Sequence, residues 1–206
     1  TLDLLLMKDL KICGEITLPV HHCLISKSKD LKKITSIYAH GQSLAQCHDW
    51  IANNLPNAKK ITVLSNAEGA KIASKEKHSA AIASARAANI FKLNILQNHI
   101  EDEPNNTTRF LILSDQEISP SGNDKTSIVV ATKNKPGAIV DLIKPFASRK
   151  VSLTKLESRP SRIGMWEYVF FIDIEGHRDD SKIKLCLKDI EKKSSFIKFL
   201  GSYPKN

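Results

Sequence analysis

The sequence predicts an α/β protein built from two different parts. Between residues 34 and 91, short apolar strands alternate with helical segments, which is typical of a parallel sheet covered by helices. After residue 125 the order changes to strand, helix, strand, strand, helix, strand, and this order predicts a ferredoxin-like βαββαβ domain. At 206 residues, 41% of them hydrophobic, the chain can bury a core in each part. We therefore expect a parallel-sheet lobe over residues 1–114, a linker over 115–125 and the βαββαβ domain over 126–206.

The lobe opens with the end of a helix and a weakly alternating strand over residues 11–20. Its main strands are predicted at residues 34–39, 60–64 and 80–83. A helix is expected over residues 42–55, and the apolar side chains that would face the sheet at helical spacing are Leu44, Cys47, Ile51 and Leu55. Gln42 and Gln46, four residues apart, then share a different face near the start of that helix.

Two serines, Ser65 and Ser84, precede the next two helices and can cap their first backbone N–H groups. Helix starts that follow parallel strands converge on the carboxyl edge of the sheet, where α/β proteins bind anions. Each serine can therefore act as a cap alone, or as a cap that also contacts a ligand. The sequence leaves both interpretations open.

Residues 103–110 place acids, amides, two hydroxyls, a guanidinium and an aromatic ring between two apolar runs. Pro104 and the two asparagines that follow it break regular structure, so a loop is expected there. The apolar run at residues 110–113 predicts a buried strand. Thr107, Thr108 and Arg109 would then lie at a strand entrance, where a stiff backbone holds their side chains in place to bind a small anion.

In the βαββαβ domain, one face of the third strand is entirely apolar. Its side chains recur at every second residue: Trp166, Tyr168, Phe170, Ile172 and Ile174. Val169 and Phe171 add bulk to the opposite face as well. Because helices on one side of the sheet would leave that second face in water, we expect it to pair with a second copy of the domain.

The net charge of +9 raises nucleic acid as a partner, but the basic residues are dispersed. Aromatic residues make up only 6% of the chain and do not interleave with the basic runs. We predict no nucleic-acid partner, since a basic balance suits a dianionic small substrate equally well. No apolar run reaches the roughly 18 residues that a membrane span needs, so no membrane partner is expected.

The four cysteines lack Cys-x-x-Cys spacing and have apolar neighbours, which favours reduced thiols in the cytoplasm. His21, His22 and Cys23 are consecutive, but neighbouring residues of a strand point to opposite faces. His21 and His22 could therefore not easily share one ion. No nucleotide or flavin signature occurs, and we predict neither a metal nor a cofactor.

Two stretches of the lobe resemble the prephenate dehydratases, enzymes that turn prephenate into phenylpyruvate on the way to phenylalanine. Residues 105–110, Asn-Asn-Thr-Thr-Arg-Phe, resemble the Thr-Arg-Phe motif of that family. Residues 37–47, Ile-Tyr-Ala-His-Gly-Gln-Ser-Leu-Ala-Gln-Cys, resemble its Ser-His-Pro-Gln and Ala-Gln-Cys segment. Ala39 and Gly41 replace the usual serine and proline, so a hydroxyl contact from that serine is not expected here.

Two further stretches resemble the regulatory ACT domain of the same enzymes. Residues 134–140, Asn-Lys-Pro-Gly-Ala-Ile-Val, and residues 157–160, Glu-Ser-Arg-Pro, are similar to its signatures, with Ile139 in place of leucine. The resemblance spans nearly the whole chain. It implies a periplasmic-binding-protein-like fold for the dehydratase lobe, part of which would precede Thr1.

The resemblance implies that prephenate loses its ring hydroxyl as water together with carbon dioxide, driven by aromatisation and without a cofactor. Thr108 is the candidate for the hydroxyl that hydrogen-bonds the leaving oxygen. Arg109 would anchor a carboxylate or order the loop, and Phe110 would form an apolar wall. The other candidates for substrate binding are Thr107, Gln46, His40 and Ser84.

The ACT resemblance implies feedback regulation by L-phenylalanine and assembly as a homodimer or homotetramer. The effector's carboxylate would meet free N–H groups at the helix start beside Gly137. The candidate effector-binding residues are Asn134, Pro136, Gly137, Ala138, Ile139, Leu153, Glu157, Ser158, Arg159 and Pro160. An alternative of another class is a non-catalytic amino-acid sensor that carries an ACT module.

Overall fold

A computed structural model of the chain describes residues 2–132, 135–160 and 168–206. The chain forms two compact units. The central unit is Leu18–Thr108, and the terminal unit joins Thr1–Thr17 to Arg109–Asn206. The first 17 residues and the strand after Thr108 are thus compact with the βαββαβ domain, while the expected domain boundary at residue 114 stays a prediction.

The elements follow in a mixed α/β order. In chain order they are α1 Leu2–Met7, β1 Lys11–Pro19, β2 Cys23–Ser26, β3 Ser36–Ala39, α2 Gly41–Gln46, α3 His48–Asn54, β4 Lys59–Thr62, α4 Asn66–Ala73, β5 Ser79–Ala83, α5 Ala85–Phe91, β6 Asn94–Gln97, β7 Thr107–Ser114, β8 Asp124–Ala131, α6 Ala138–Ser148, β9 Leu153–Pro160, β10 Tyr168–Glu175, α7 Ser181–Glu191 and β11 Phe196–Pro204. A short 3-10 turn, Leu31–Lys33, precedes β3. No helix in the described parts of the chain is long and apolar enough to cross a membrane.

The central unit contains a five-stranded sheet in the order β4-β3-β5-β2-β6. β3 runs parallel to β4 and β5, as the strand–helix alternation predicted, whereas β2 is antiparallel to both of its neighbours. Ile37, Ile51 and Ile82 are fully buried in the core on one side of this sheet. On the other side α4 packs closely, and a Cβ at Gly69 would lie only 2.7 Å from the carbonyl oxygen of Tyr38.

The helix predicted over residues 42–55 is in fact two helices, α2 and α3, which are separated at Cys47. The reason lies in the loop that follows β6. The Asp102 carboxylate accepts the backbone N–H groups of Asp49 and Trp50, both at 3.1 Å, and so caps a new helix start. Of the four residues predicted to face the sheet, Cys47 and Ile51 are fully buried, Leu55 is nearly so, and Leu44 is partly buried against the same core.

The terminal unit contains a four-stranded antiparallel sheet in the order β11-β8-β10-β9. With α6 and α7 this is the βαββαβ arrangement that the sequence predicted. The two helices cover one face of the sheet, where Phe170, Ile172 and Ile174 of β10 pack against Phe146 and Ile183. Trp166, expected on the same face, lies outside the described residues.

The other face of this sheet is not left in water, contrary to our expectation. Val169 and Phe171 are 6% and 3% exposed, because Leu5 of α1, Ile12 of β1 and Leu111 of β7 pack against them. The chain covers this face with its own first residues and β7. This face is therefore not exposed for pairing with a second copy, contrary to the prediction.

The strand predicted at residues 110–113 exists as part of β7, but it is not buried. Among the described residues, β7 pairs only with β1, in a two-stranded sheet. Phe110, Ile112 and Leu113 are 52%, 45% and 41% exposed. An apolar run alone did not distinguish a central strand from one that is covered on a single side.

Candidate functional site

An open pocket of about 530 Å³ lies in the central unit, between the start of α2 and the loop after β6. This volume suits a small organic ligand. The residues that line the pocket are Gln42, Ala45, Gln46, Glu101, Asp102, Glu103, Asn105 and Asn106. Gln46 therefore lines this pocket, and its contact with a substrate stays a prediction.

Gln46 is held by a chain of hydrogen bonds that starts at Glu101. The Glu101 Oε2 atom accepts the backbone N–H of His22 at 2.8 Å. The His22 Nε2 atom in turn lies 2.9 Å from Gln46 Oε1, so the histidine donates to the amide oxygen. The amide nitrogen of Gln46 is then the group that can donate to a ligand.

Backbone hydrogen bonds hold the loop after β6 that lines the pocket. The Asp102 N–H donates to the Gln46 carbonyl at 2.8 Å, and the Asn106 carbonyl accepts the Val20 N–H at 2.8 Å. Together with the Asp102 carboxylate at the start of α3, these bonds fix the loop's ends. The sequence had predicted only a loop, because its irregular residues do not reveal their partners.

The pocket wall is acidic. Three of its eight lining residues are carboxylates, and none of the eight is lysine or arginine. Burial alone would raise the pKa of Glu101, but hydrogen bonds from His21 and from the His22 backbone lower it to about 2. A dianionic ligand in this pocket would therefore need its positive partners from outside these lining residues.

His40 and Ser84 are helix caps in the structure, which for Ser84 is one of its two expected roles. His40 Nδ1 accepts the Gln42 N–H at 3.3 Å at the start of α2, and Ser84 Oγ accepts the Ala87 N–H at 3.3 Å at the start of α5. Ser65 caps α4 in the same way. These caps follow β3, β5 and β4, so the three helix starts do stand after parallel strands. Contacts of His40 and Ser84 with a substrate stay predictions.

Thr107 and Thr108 lie on the exposed surface at the start of β7, as expected for a strand entrance. Neither lines the pocket described above. Phe110, the predicted apolar wall, is half exposed on the same strand. The roles of these three residues toward a substrate stay predictions.

Arg109 lies in a polar network within the terminal unit, which we call the arginine network: Glu15, Arg109, Lys125, Asp173 and Tyr203. Arg109 Nε donates to Glu15 Oε2 at 2.6 Å, Nη1 donates to Asp173 Oδ2 at 2.5 Å, and Nη2 donates to the Tyr203 hydroxyl at 2.7 Å. Lys125 Nζ donates to the second oxygen of Glu15 at 2.6 Å. All three nitrogens of the Arg109 guanidinium thus donate inside the protein, which fits its expected role of ordering the loop better than that of a carboxylate anchor.

The acidic members of the arginine network are buried, with Glu15 and Asp173 side chains only 1% and 9% exposed. Burial opposes ionisation of Glu15, but the bond from Lys125 and the charge of Arg109 outweigh it and lower its pKa. Burial, together with the charge of Asp173, raises the pKa of Tyr203 to about 12. The phenol of Tyr203 is therefore neutral and the Glu15 carboxylate is ionised near neutral pH.

The sequence analysis missed most of the arginine network. One signal was present, because Asp173 interrupts the apolar sequence Phe171-Ile172-Asp173-Ile174 in a central strand. A charge at such a position is buried and needs a partner. The partner could not be named from the sequence, since Glu15 and Arg109 are far from it along the chain.

The expected effector residues lie at the start of α6 and on β9. Gly137 has φ of 78°, in the left-handed region, and ends the turn before α6. Ala138 is buried and Ile139 is half exposed, while Pro136 stands in the exposed turn before them. Asn134 lies outside the described residues.

On β9, one of the two edge strands of the four-stranded sheet, the Glu157 carboxylate pairs with Arg159 and Lys155, each at 2.9 Å. Hydrogen bonds from these two cations lower the pKa of Glu157. Ser158 and Pro160 are exposed, and Leu153 packs against the core below α6. Binding of an effector by these residues stays a prediction.

Two family models match the chain: prephenate dehydratase over residues 1–118 and ACT domain over residues 126–192. The chain is 47% identical over 207 residues to a bifunctional chorismate mutase/prephenate dehydratase of Neisseria gonorrhoeae, covering 99% of this chain and 57% of that protein. It is 39% identical over 209 residues to a prephenate dehydratase of Methanocaldococcus jannaschii, covering 99% of this chain and 75% of that protein.

Among solved structures, the prephenate dehydratase of Arthrobacter aurescens in complex with L-Phe has a TM-score of 0.82 at 34% identity, over 95% of this chain and 66% of that one. The chain spans little more than half the length of the bifunctional relatives that it matches. Both the resemblance drawn from the motifs and the predicted fold class are confirmed. The chain belongs to the prephenate dehydratase family.

Proposed function

We propose that the protein carrying this chain is a prephenate dehydratase that is inhibited by L-phenylalanine at its ACT domain. The observation that carries the proposal is the match of both family models in the order that the motifs indicated. Relatives that bear the dehydratase name align over nearly the whole chain. All four cysteines carry free thiols, in keeping with a cytoplasmic enzyme.

The reaction converts prephenate into phenylpyruvate, water and carbon dioxide. The bond from the ring to its carboxylate breaks, its electron pair completes the aromatic ring, and the ring hydroxyl leaves as water after gaining a proton. Little covalent help is needed, so the protein's part is to stabilise the departing oxygen and to orient the substrate. We assign the hydrogen bond to the departing hydroxyl to Thr108, whose side chain is exposed at the start of β7.

Gln46 is the second residue that we assign to the substrate. It lines the pocket, and its oxygen is already held by His22, which fixes the direction of its amide N–H groups. An oriented amide can donate to a carboxylate or keto oxygen without reorganising during the reaction. Arg109 is assigned to ordering β7, because its guanidinium is paired inside the terminal unit.

Kinetics of Thr108→Ala in the full-length protein test this assignment. We expect kcat to fall by about a hundredfold or more with a smaller change in KM, since the hydroxyl acts mainly in the transition state. Thr35→Ala, which removes another exposed threonine hydroxyl, is the control and should keep wild-type kinetics. A Thr108→Ala enzyme with near wild-type kcat would remove Thr108 from the reaction. Absence of prephenate turnover in the wild-type protein would favour the non-catalytic sensor instead.

Effector binding is assigned to the start of α6, where N–H groups beside Gly137 can meet the α-carboxylate of phenylalanine. Gly137→Val should weaken phenylalanine binding at least tenfold by calorimetry, because the side chain blocks the approach to these groups. Gly122→Val is matched to it, since Gly122 also has positive φ and open space around its Cβ position. Equal phenylalanine affinity in the two variants would contradict the assignment.

A homodimer or homotetramer remains part of the proposal, although the exposed-face argument for it has failed. Its remaining support is β9, an edge strand that carries the Glu157–Pro160 segment. Edge strands of two copies can pair and bring two such segments together. Sedimentation with and without phenylalanine measures the assembly, and a monomer in both conditions would end this part of the proposal.

A further inference from the structure

Two imidazole rings and one carboxylate converge at the surface of the central unit. His21 precedes β2, while His99 and Glu101 follow β6. The His21 Nδ1 atom lies 2.8 Å from Glu101 Oε1 and 3.0 Å from His99 Nδ1, and His99 Nδ1 lies 3.5 Å from the same Glu101 oxygen. We call these three residues the histidine cluster. We propose that the histidine cluster binds a divalent transition-metal ion of the zinc class.

One ring hydrogen does not give each of these three atoms its own hydrogen bond. A neutral imidazole carries at most one hydrogen on Nδ1, and that of His21 is directed to Glu101. It then has no second hydrogen for His99 Nδ1, which approaches the same nitrogen to 3.0 Å. With the hydrogens of both rings on Nε2 instead, three electron-pair-bearing atoms meet around one point, which is the arrangement that a cation completes.

The spacing fits an ion of zinc's size. A triangle with edges of 2.8, 3.0 and 3.5 Å leaves a point just outside its plane that is roughly 2 Å from every corner. That is the bond length of zinc to imidazole nitrogen and to carboxylate oxygen. Two imidazoles with one carboxylate also suit zinc-like ions better than magnesium or calcium, which prefer oxygen ligands alone.

The surroundings support a ligand set of three with an open side. The histidine side chains are 44% and 64% exposed, so an ion can enter and keep a water molecule. The Glu101 side chain is only 3% exposed, and its second oxygen accepts the His22 N–H at 2.8 Å. Such an outer bond orients a ligating carboxylate in many metal sites.

Neighbouring donors are engaged elsewhere, which limits the site to these three residues. His22 Nε2 is bonded to Gln46, and the Asp102 carboxylate caps α3. The Cys23 thiol donates to Asn98 Oδ1 at 3.3 Å, and burial raises its pKa. His21 and His22 have different partners, as strand alternation predicted. The ligand atoms beside His21 come from His99 and Glu101 instead of His22.

An ion at the histidine cluster would hold Glu101, and through the His22 backbone it would also hold the side chain that orients Gln46. The consequence is a stiffer pocket wall. The binding of the metal is independent of the proposed dehydratase activity, because neither the geometry nor the test uses a substrate.

Titration of the untagged, metal-free full-length protein with Zn²⁺ and Co²⁺ tests the proposal. We expect one equivalent to bind and Co²⁺ to give the intense visible absorption of a four-coordinate site. His99→Asn and Glu101→Gln should each weaken that binding by about tenfold or more. Asparagine tolerates the left-handed backbone at residue 99, where φ is 52°, and glutamine keeps an acceptor for the His22 N–H.

His78→Asn is the matched control. His78 is also an exposed histidine with positive φ, at 62°, and it lies outside the cluster. Zn²⁺ should raise the Tm of wild type and His78→Asn but not that of His99→Asn. Lack of saturable binding up to about 100 µM free Zn²⁺ would overturn the proposal. Equal losses in His78→Asn and His99→Asn, which indicate scattered surface sites, would overturn it as well.

Discussion

The arginine network of the terminal unit and the histidine cluster of the central unit use similar groups for opposite purposes. In the arginine network, two buried carboxylates face two fixed cations, and a phenol completes the hydrogen bonding. In the histidine cluster, one buried carboxylate faces two exposed rings that carry no fixed charge. The first set is complete within the chain, whereas the second has room for an added cation. The balance of fixed charges distinguishes a structural network from a binding site better than residue types do.

The largest effect that this comparison predicts concerns Arg109. Arg109→Met leaves Glu15 and Asp173 buried beside fewer cations, so the free energy of unfolding should fall by about 3–5 kcal/mol. Urea denaturation measures the change. Arg109→Lys keeps one charge but loses the fork of donors. Its free energy of unfolding should lie between those of the wild type and Arg109→Met.

Arg149→Met is the control for that experiment, because the Arg149–Asp189 pair is about one-third exposed at both ends. Its loss should cost about 1 kcal/mol or less. If Arg109→Met unfolded like the wild type but bound prephenate poorly, Arg109 would face the substrate and the comparison would fail.

A smaller effect is expected for Glu15, with a defined pH dependence. The pKa of Glu15 in the folded protein lies below its ordinary value of 4.5. Its contribution to stability is therefore complete above about pH 5 and is lost as pH falls through the lower folded pKa. Glu15→Gln should cost about 2 kcal/mol at pH 7. The difference in free energy of unfolding between Glu15→Gln and the wild type should disappear in acid. A difference that stayed constant from pH 7 to pH 3 would contradict this account.

The smallest effect is expected for His99 in the absence of metal. His99→Asn removes an exposed ring and keeps a residue that accepts positive φ, so the free energy of unfolding should change by no more than about 0.5 kcal/mol. Chemical denaturation in the presence of a chelator measures it. A loss comparable to that of Arg109→Met would show that the histidine cluster is structural, and the contrast between the two sites would disappear.

Much of the architecture could be predicted from local patterns. The strand–helix order, the parallel strands β3, β4 and β5 and the βαββαβ order of the terminal unit all follow from apolar periodicity. Helix caps at Ser65 and Ser84 were predictable, because a cap and its N–H partner are three residues apart. The family itself was recognisable from motifs at residues 105–110 and 134–140.

Two errors have a common physical cause. The predicted helix over residues 42–55 is divided because Asp102, distant in sequence, caps a second helix start. The second face of the β10 strand is covered because α1, β1 and β7 of the same chain pack on it. In both cases the local periodicity identified the apolar residues. It gave no information about which distant segment contacts them.

The sequence by itself determined the fold class, the spacing of the buried residues and the family, because each depends on residues close together in the chain. Only the tertiary structure decided which polar side chains are already paired. Arg109 and Glu15 are separated by the whole central unit in sequence, yet their atoms lie 2.6 Å apart. His21 and His99 likewise meet only because β2 and β6 are neighbours in one sheet. Hydrogen bonds and ion pairs act over a few ångströms, so the chain's folding, and not the order of its residues, selects their partners.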